Sequence, residues 1–182
     1  MIDWNVVKSA IYNWALNYSG LNPSTDQQKV IFSNQIGVQP VRPYITLNIS
    51  NVTKVTHDDL RYKGPDLEFE VSGLRSFTLG VQAFSAEDLF ESMTLISSLQ
   101  NSLNFPAVNE FLKTNSLSYV SVSNITNVTE LMDTSFDSRH SIDVVFYIGS
   151  NIDQTVDIIE HTEIDGEIEY EEVKKGDIEI VL

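Results

Sequence analysis

A long alternation of apolar and polar residues in the middle of the chain constrains the fold more than any other feature. The apolar residues sit at every second position across most of the segment 67–83: Leu67, Phe69, Val71, Phe77, Leu79, Val81 and Ala83. Successive side chains of a β-strand point to opposite faces, so the pattern predicts one strand well beyond the usual length of about five to six residues. Gly73 interrupts the pattern, and we expect a bulge or bend there.

A second alternating segment precedes this strand. Residues 44–55 place Ile45, Leu47 and Ile49 on one face. The simplest arrangement pairs the two strands as a long antiparallel hairpin whose tip, Asp58 to Gly64, projects from the body. A two-stranded projection is only marginally stable alone, so we expect it to rest on another subunit. The expected contact residues are Leu60, Arg61, Tyr62, Lys63, Leu67 and Phe69.

A first helix is predicted from Asp3 to Tyr18, where apolar residues recur at helical spacing. Asp3 can cap its free amides, and Gly20 can end it in the left-handed conformation. The apolar stripe consists of Trp4, Val7, Ile11 and Trp14. We interpret this stripe as core packing or a subunit contact.

A second helix is marked by its start. Ser85 and Asp88 match a capping box, and Phe84 and Leu89 occupy the positions of a hydrophobic staple. Pro106 favours a third, short helix over residues 107–114. Further strands are expected at residues 30–32, 117–122 and 138–148.

The order of these elements predicts an α+β fold. We expect an antiparallel or mixed sheet, with the long hairpin and with the helices packed on one face. Residues 124–136 show no regular pattern.

The negative charge of the chain is concentrated in its C-terminal segment. The net charge is −15, and residues 151–182 hold 11 of the 26 acidic residues but only 2 of the 11 basic ones. Asp165-Gly166 is a strong hairpin signal, so the segment is predicted to form an acidic β-meander. We divide the chain into a domain at 1–165 and an extension at 166–182, which is too small to bury a core and should dock on something. Its expected contact residues are Ile168 and Tyr170.

Composition excludes several classes of function. Cysteine is absent, which excludes disulfides, thiolate zinc sites and cysteine nucleophiles. The acidic balance disfavours a protein that coats nucleic acid or binds an anionic membrane, because both need clustered Lys and Arg. The sequence shows no glycine-rich phosphate loop, no apolar run long enough to span a membrane, and no signal peptide.

Candidate catalytic groups are few, since the chain has three histidines. His57, Asp58 and Asp59 could bind a divalent cation, and a metal-dependent hydrolase is therefore the enzyme alternative. We interpret this cluster as a solvated loop, and His140 and His161 as surface residues. Three further carboxylates match no metal signature: Asp133, Asp137 and Asp143. We assign no catalytic, metal-binding or cofactor-binding residue.

The order of four motifs resembles a known family. They are Asp3-Trp4-x-x-Val7, Gln39-Pro40-x-x-Pro43-Tyr44-Ile-Thr-Leu47, Arg75-Ser-Phe77-Thr78-Leu79-x-Val81-Gln82-Ala83-Phe84 and Leu131-Met-Asp133-Thr134-x-Phe136-x-x-Arg139. Over about residues 1–165 the chain resembles the neck or tail terminator (tail-completion) proteins of tailed bacteriophages.

The resemblance implies a structural protein of the virion neck, assembled in the host cytoplasm, without enzymatic activity or cofactor. Such proteins form a ring, commonly of six subunits, that ends growth of the tail tube and joins the tail to the head connector. The implied partners are other copies of the chain, the tail tube protein and the head-completion or connector protein, with the sheath as a further candidate. DNA would pass through the lumen without specific binding, since acidic walls repel it.

Two structural alternatives remain open. A head-completion or connector protein would form a ring one level higher, and the neighbour that it binds discriminates the two. A cell-surface or pilus-like β module is disfavoured by the missing signal peptide.

Overall fold

Three α-helices and an open, mixed seven-stranded sheet form the parts of the chain that the computed structural model describes, residues 1–35, 37–62, 68–86, 89–132 and 135–155. The helices are α1 (Trp4–Tyr18), α2 (Leu89–Ser102) and α3 (Pro106–Thr114). The strands are β1 (Val30–Phe32), β2 (Tyr44–Lys54), β3 (Asp59–Tyr62), β4 (Glu68–Phe84), β5 (Leu117–Val122), β6 (Thr126–Asn127), β7 (Glu130–Met132), β8 (Ser135–Asp137) and β9 (Arg139–Thr155). The predicted α+β class is confirmed.

The sheet is organised around two long strands. Its order is β1-β2-β4-β9-β5, with β3 added to β4 and β6 added to β9, while β7 and β8 pair as a separate ribbon. Only β1 and β2 are parallel among the described pairs of strands. Strands β4 and β9 pair along their whole length, from Glu68 opposite Thr155 to Phe84 opposite Arg139. The alternation from 67 to 83 therefore predicted the central strand correctly.

The hairpin of β2 and β4 is confirmed, but its projecting part is not two-stranded. Residues Asp59–Tyr62, expected in the loop at the tip, form β3 and pair with β4. Strand β9 was expected to end at residue 148 but continues to Thr155 along the other side of β4. The extension is polar, and it becomes a strand because its backbone groups pair with β4, which local composition does not reveal.

The expected bulge at Gly73 is absent from the pairing of β4 with β9, which runs without a shift through Gly73 opposite Ser150. The irregularity lies in β2, between Ser50 and Thr53. Asn51 has a φ of 52° there, a left-handed conformation that Asn tolerates better than most residues.

One face of the sheet carries the core. Its strands contribute buried side chains at alternate positions: Ile45, Leu47, Phe77, Leu79, Val81, Ala83, Ile142, Val144, Phe146 and Ile148. An aromatic chain joins this face to α1, because Phe77 and Phe146 stack 5.6 Å apart and each ring meets a tryptophan edge-on, Trp4 and Trp14 respectively. Helices α2 and α3 complete the same cluster through Ile96, Leu99 and Leu112. The helices thus pack on one face, as expected.

The predicted helix boundaries agree with the structure where they are described. The Asp3 carboxylate accepts a hydrogen bond from the Asn5 amide at 2.9 Å, and Gly20 has a φ of +97° just beyond α1. Pro106 begins α3. The capping box and staple of α2 involve Asp88 and the Leu89 side chain, which lie outside the described residues.

Residues 124–136 were expected to be irregular, but they include β6, β7 and the start of β8. These strands have two or three residues each, too short for a period-2 pattern to emerge from the sequence. The predicted acidic meander lies outside the described residues. None of the helices in the described ranges is long and apolar enough to cross a membrane.

Candidate functional site: the assembly surface

The projecting part of the sheet is a three-stranded arm. We define the arm as residues 59–62, 68–74 and 149–155, where β3, the start of β4 and the end of β9 pair with one another. The helices pack on the other half of these strands, around Phe77 and Phe146. The arm therefore carries surfaces that the helices of the same subunit do not bury.

One side of the arm is apolar, and we call it the apolar arm face. Leu60 is paired with Val71 across β3 and β4, and Val71 with Ile152 across β4 and β9, so these three side chains share one face. Tyr62 is paired with Phe69 on the same face. The Tyr62 and Phe69 rings meet edge-on at 5.5 Å. Leu60 is 63% exposed, Tyr62 55% and Ile152 44%. Exposed apolar residues grouped in this way are typical of an interaction surface.

The opposite side, the polar arm face, carries charged groups. Register places Arg61, Glu70 and Asp153 in one row, with Asp59 one row further along. Arg61 Nε donates to Asp59 Oδ2 at 2.8 Å. The two faces of the arm therefore differ in polarity.

An ionic cluster lies at the base of the arm, on the same side as the apolar arm face. Arg75 donates from Nη1 to Asp58 Oδ1 at 2.6 Å and from Nη2 to Oδ2 at 3.0 Å. Lys54 Nζ lies 2.8 Å from Asp58 Oδ2. The hydrogen bonds from Arg75, then those from Lys54, hold the pKa of Asp58 well below its usual range. Two cations share one carboxylate, which leaves the cluster with a formal charge of +1.

Gly73 lies directly beside this cluster. A Cβ at position 73 would lie 2.6 Å from Arg75 Nη1 and 2.8 Å from Asp58 Cγ, closer than real Cβ atoms approach. The glycine that was expected to mark a bulge instead makes room for the ion pair.

The structure places the contact residues expected from sequence on two different faces of the arm. Leu60, Tyr62 and Phe69 lie together on the apolar arm face, whereas Arg61 lies on the polar arm face. The remaining expected contacts lie outside the residues whose side chains are described: Lys63, Leu67, Ile168 and Tyr170. Val71 and Ile152 belong to the apolar surface as well; the period-2 pattern contained Val71, but nothing in the sequence pointed to Ile152.

The carboxylates of the metal-site alternative, Asp58 and Asp59, are not brought together. Asp58 is engaged by Arg75 and Lys54, while Asp59 binds Arg61 on the other side of the arm. Across the described ranges no three His, Asp or Glu side chains are grouped as a metal site needs. Asp143 is exposed on the sheet, and Asp133 and His161 lie outside the described residues.

His140 was expected on the surface, and this prediction is wrong. The ring is 4% exposed, and its Nδ1 lies 2.9 Å from Ser92 Oγ, which also lies 3.0 Å from Ser138 Oγ. Burial lowers the pKa of His140. The alternation of His140 with Ile142 and Val144 in β9 was the signal that could have predicted its burial. Because Ser92 and His140 are both buried, this pair is inaccessible to a substrate.

A family model for phage neck terminator proteins matches residues 5–172, which is most of the chain. The chain belongs to the phage neck terminator protein family. This is a family of structural proteins, and membership places the chain in the neck of the phage particle, assembled with other neck and tail proteins. The match covers the arm and ends inside the predicted extension 166–182. A comparison with curated proteins gives no match.

Proposed function

We propose that this chain is the tail terminator of its phage: copies form a ring at the neck that ends growth of the tail tube and joins the tail to the head connector. The observation that carries the proposal is the apolar arm face in a member of the neck terminator family. A structural subunit that projects exposed Leu60 and Tyr62 has a surface to bury against a neighbour.

The ring is formed by self-association through the arms, and six subunits are the expected number. The tail tube protein lies below the ring and the head-completion or connector protein above it, with the sheath as a further candidate neighbour. The subunit assembles in the host cytoplasm and acts without catalysis or cofactor. DNA passes through the lumen without specific binding, because acidic walls repel its phosphates.

The division of the chain into a domain at 1–165 and an extension at 166–182 belongs to the same proposal. The hairpin signal Asp165-Gly166 at the boundary supports it. On this view the domain carries the arm, and the extension contributes a contact of its own to the assembly.

Two measurements test the proposal. Sedimentation of the purified chain should give the mass of a closed ring, alone or after addition of the tail tube protein. Electron microscopy of virions that carry a tagged chain should place the tag at the boundary of the tube and the neck. A tag one level higher, at the portal side, would instead identify a head-completion protein, and a tag absent from the neck would refute the proposal.

A further inference from the structure

The apolar arm face needs an occupant, and the sequence beyond the arm supplies one. We propose that the C-terminal segment 167–182 of a neighbouring copy docks on the apolar arm face. The proposal rests on the ring proposed above and names the contact that links its subunits.

The negative charge of the segment favours docking on the apolar arm face rather than on the polar arm face. The segment 167–182 contains six acidic and two basic residues, a net charge of −4. The ionic cluster of Lys54, Asp58 and Arg75 at the base of the apolar arm face has a formal charge of +1. Among the described residues of the polar arm face the cation Arg61 is already paired with Asp59 at 2.8 Å, so that face offers the segment no excess of positive charge.

The residue pattern of the segment matches the surface. Ile168 and Tyr170 alternate with Glu167, Glu169 and Glu171. In an extended strand the two apolar side chains would point to one side and the three carboxylates to the other. Such a strand can cover the exposed apolar side chains of the arm while its carboxylates remain in water.

The course of β9 brings the segment within reach of a neighbouring subunit of the proposed ring. Strand β9 runs outward along the arm and pairs its last residue, Thr155, with Glu68. Residues 156–166 span roughly 35 Å when extended, which is enough to reach an adjacent subunit.

Disulfide trapping tests the contact, because the natural chain has no cysteine. One full-length variant carries Leu60→Cys and a second carries Tyr170→Cys, and the two are mixed and oxidised. The matched control replaces Leu60→Cys by Arg61→Cys, the adjacent residue on the polar arm face. The two positions are comparably exposed, 63% for Leu60 and 70% for the Arg61 side chain. Circular dichroism verifies that each variant is folded.

Docking predicts a mixed disulfide dimer that forms at least about tenfold faster with Leu60→Cys than with Arg61→Cys, because docking raises the effective thiol concentration. Equal rates in the two mixtures, or no dimer, would overturn the proposal. A Leu60→Cys/Tyr170→Cys chain that closes on itself, without mixed dimers, would also overturn it by showing contact within one subunit. If the chain has the mass of a ring but no mixed disulfide forms, only the proposed contact is refuted. If the tagged chain is absent from the virion neck, the proposed function itself is refuted.

Discussion

Arg75 and Asp58 form a two-pronged ion pair at the base of the arm, with nitrogen-to-oxygen distances of 2.6 and 3.0 Å. The pair joins β4 to the residues that lead into β3, across 17 positions of sequence. Bidentate pairs of this kind fix geometry as well as charge. The sequence placed Asp58 in a solvated loop, with a metal site as the alternative, but the carboxylate instead ties the chain that leads into β3 to β4.

Gly73→Ala should disturb this ion pair. The added Cβ would strike Asp58 and Arg75, so the carboxylate must move and the arm should loosen at its base. We expect a decrease in Tm of a few degrees and faster amide exchange in β3. The control is Gly149→Ala on the neighbouring strand, where an added Cβ meets nothing within 4 Å. If both variants melt alike, the close approach at Gly73 is unimportant.

His140 should make the stability of the subunit depend on pH. Burial lowers its pKa below the ordinary value of 6.5, so the unfolded chain binds a proton more readily than the folded one. The contribution of His140 to the free energy of unfolding should therefore fall as the pH drops below about 6.5 and level off below its folded pKa. Urea titrations at several pH values measure the slope.

The variant for this test is His140→Gln, compared with the unchanged chain. Replacement of the buried residue should flatten the slope between neutral and mildly acidic pH. An unchanged slope in His140→Gln would assign the pH dependence to another group.

Ser102→Ala should destabilise the core through Trp14. The indole Nε1 donates to Ser102 Oγ at 3.0 Å, and both residues are buried. Removal of the acceptor leaves a buried donor without this partner, which costs about 1–3 kcal/mol of unfolding free energy. Ser97→Ala in the same helix removes a half-buried hydroxyl and should change stability by no more than about 0.5 kcal/mol. Urea denaturation compares the unfolding free energies of the two variants. Equally small losses in both would contradict a stabilising role for the hydrogen bond between Trp14 and Ser102.

Deletion of residues 167–182 should leave the subunit folded but weaken its assembly. The buried core lies between Val7 and Ile148, upstream of the deletion. We expect an unchanged far-ultraviolet circular dichroism spectrum and a shift of the sedimentation profile toward smaller species. If the truncated subunit assembles as well as the full chain, the extension is not a docking segment.

Local signals in the sequence were sufficient for much of the fold. The alternation from 67 to 83 predicted β4, and Asp3 and Pro106 predicted the starts of two helices, because backbone geometry near these residues depends on near neighbours. The contact residues Leu60, Tyr62 and Phe69 were chosen from the hairpin alone, and the structure places all three on one face.

Pairing between distant strands could not be predicted in the same way. The sequence by itself determined the class of fold, the long central strand, the absence of cysteine and the concentration of acid near the C-terminus. Only the tertiary structure decided that β9 continues to Thr155, that His140 is buried and that Arg61 faces away from Leu60. The physical reason is that a strand's hydrogen bonds and a side chain's burial are completed by residues far away along the chain.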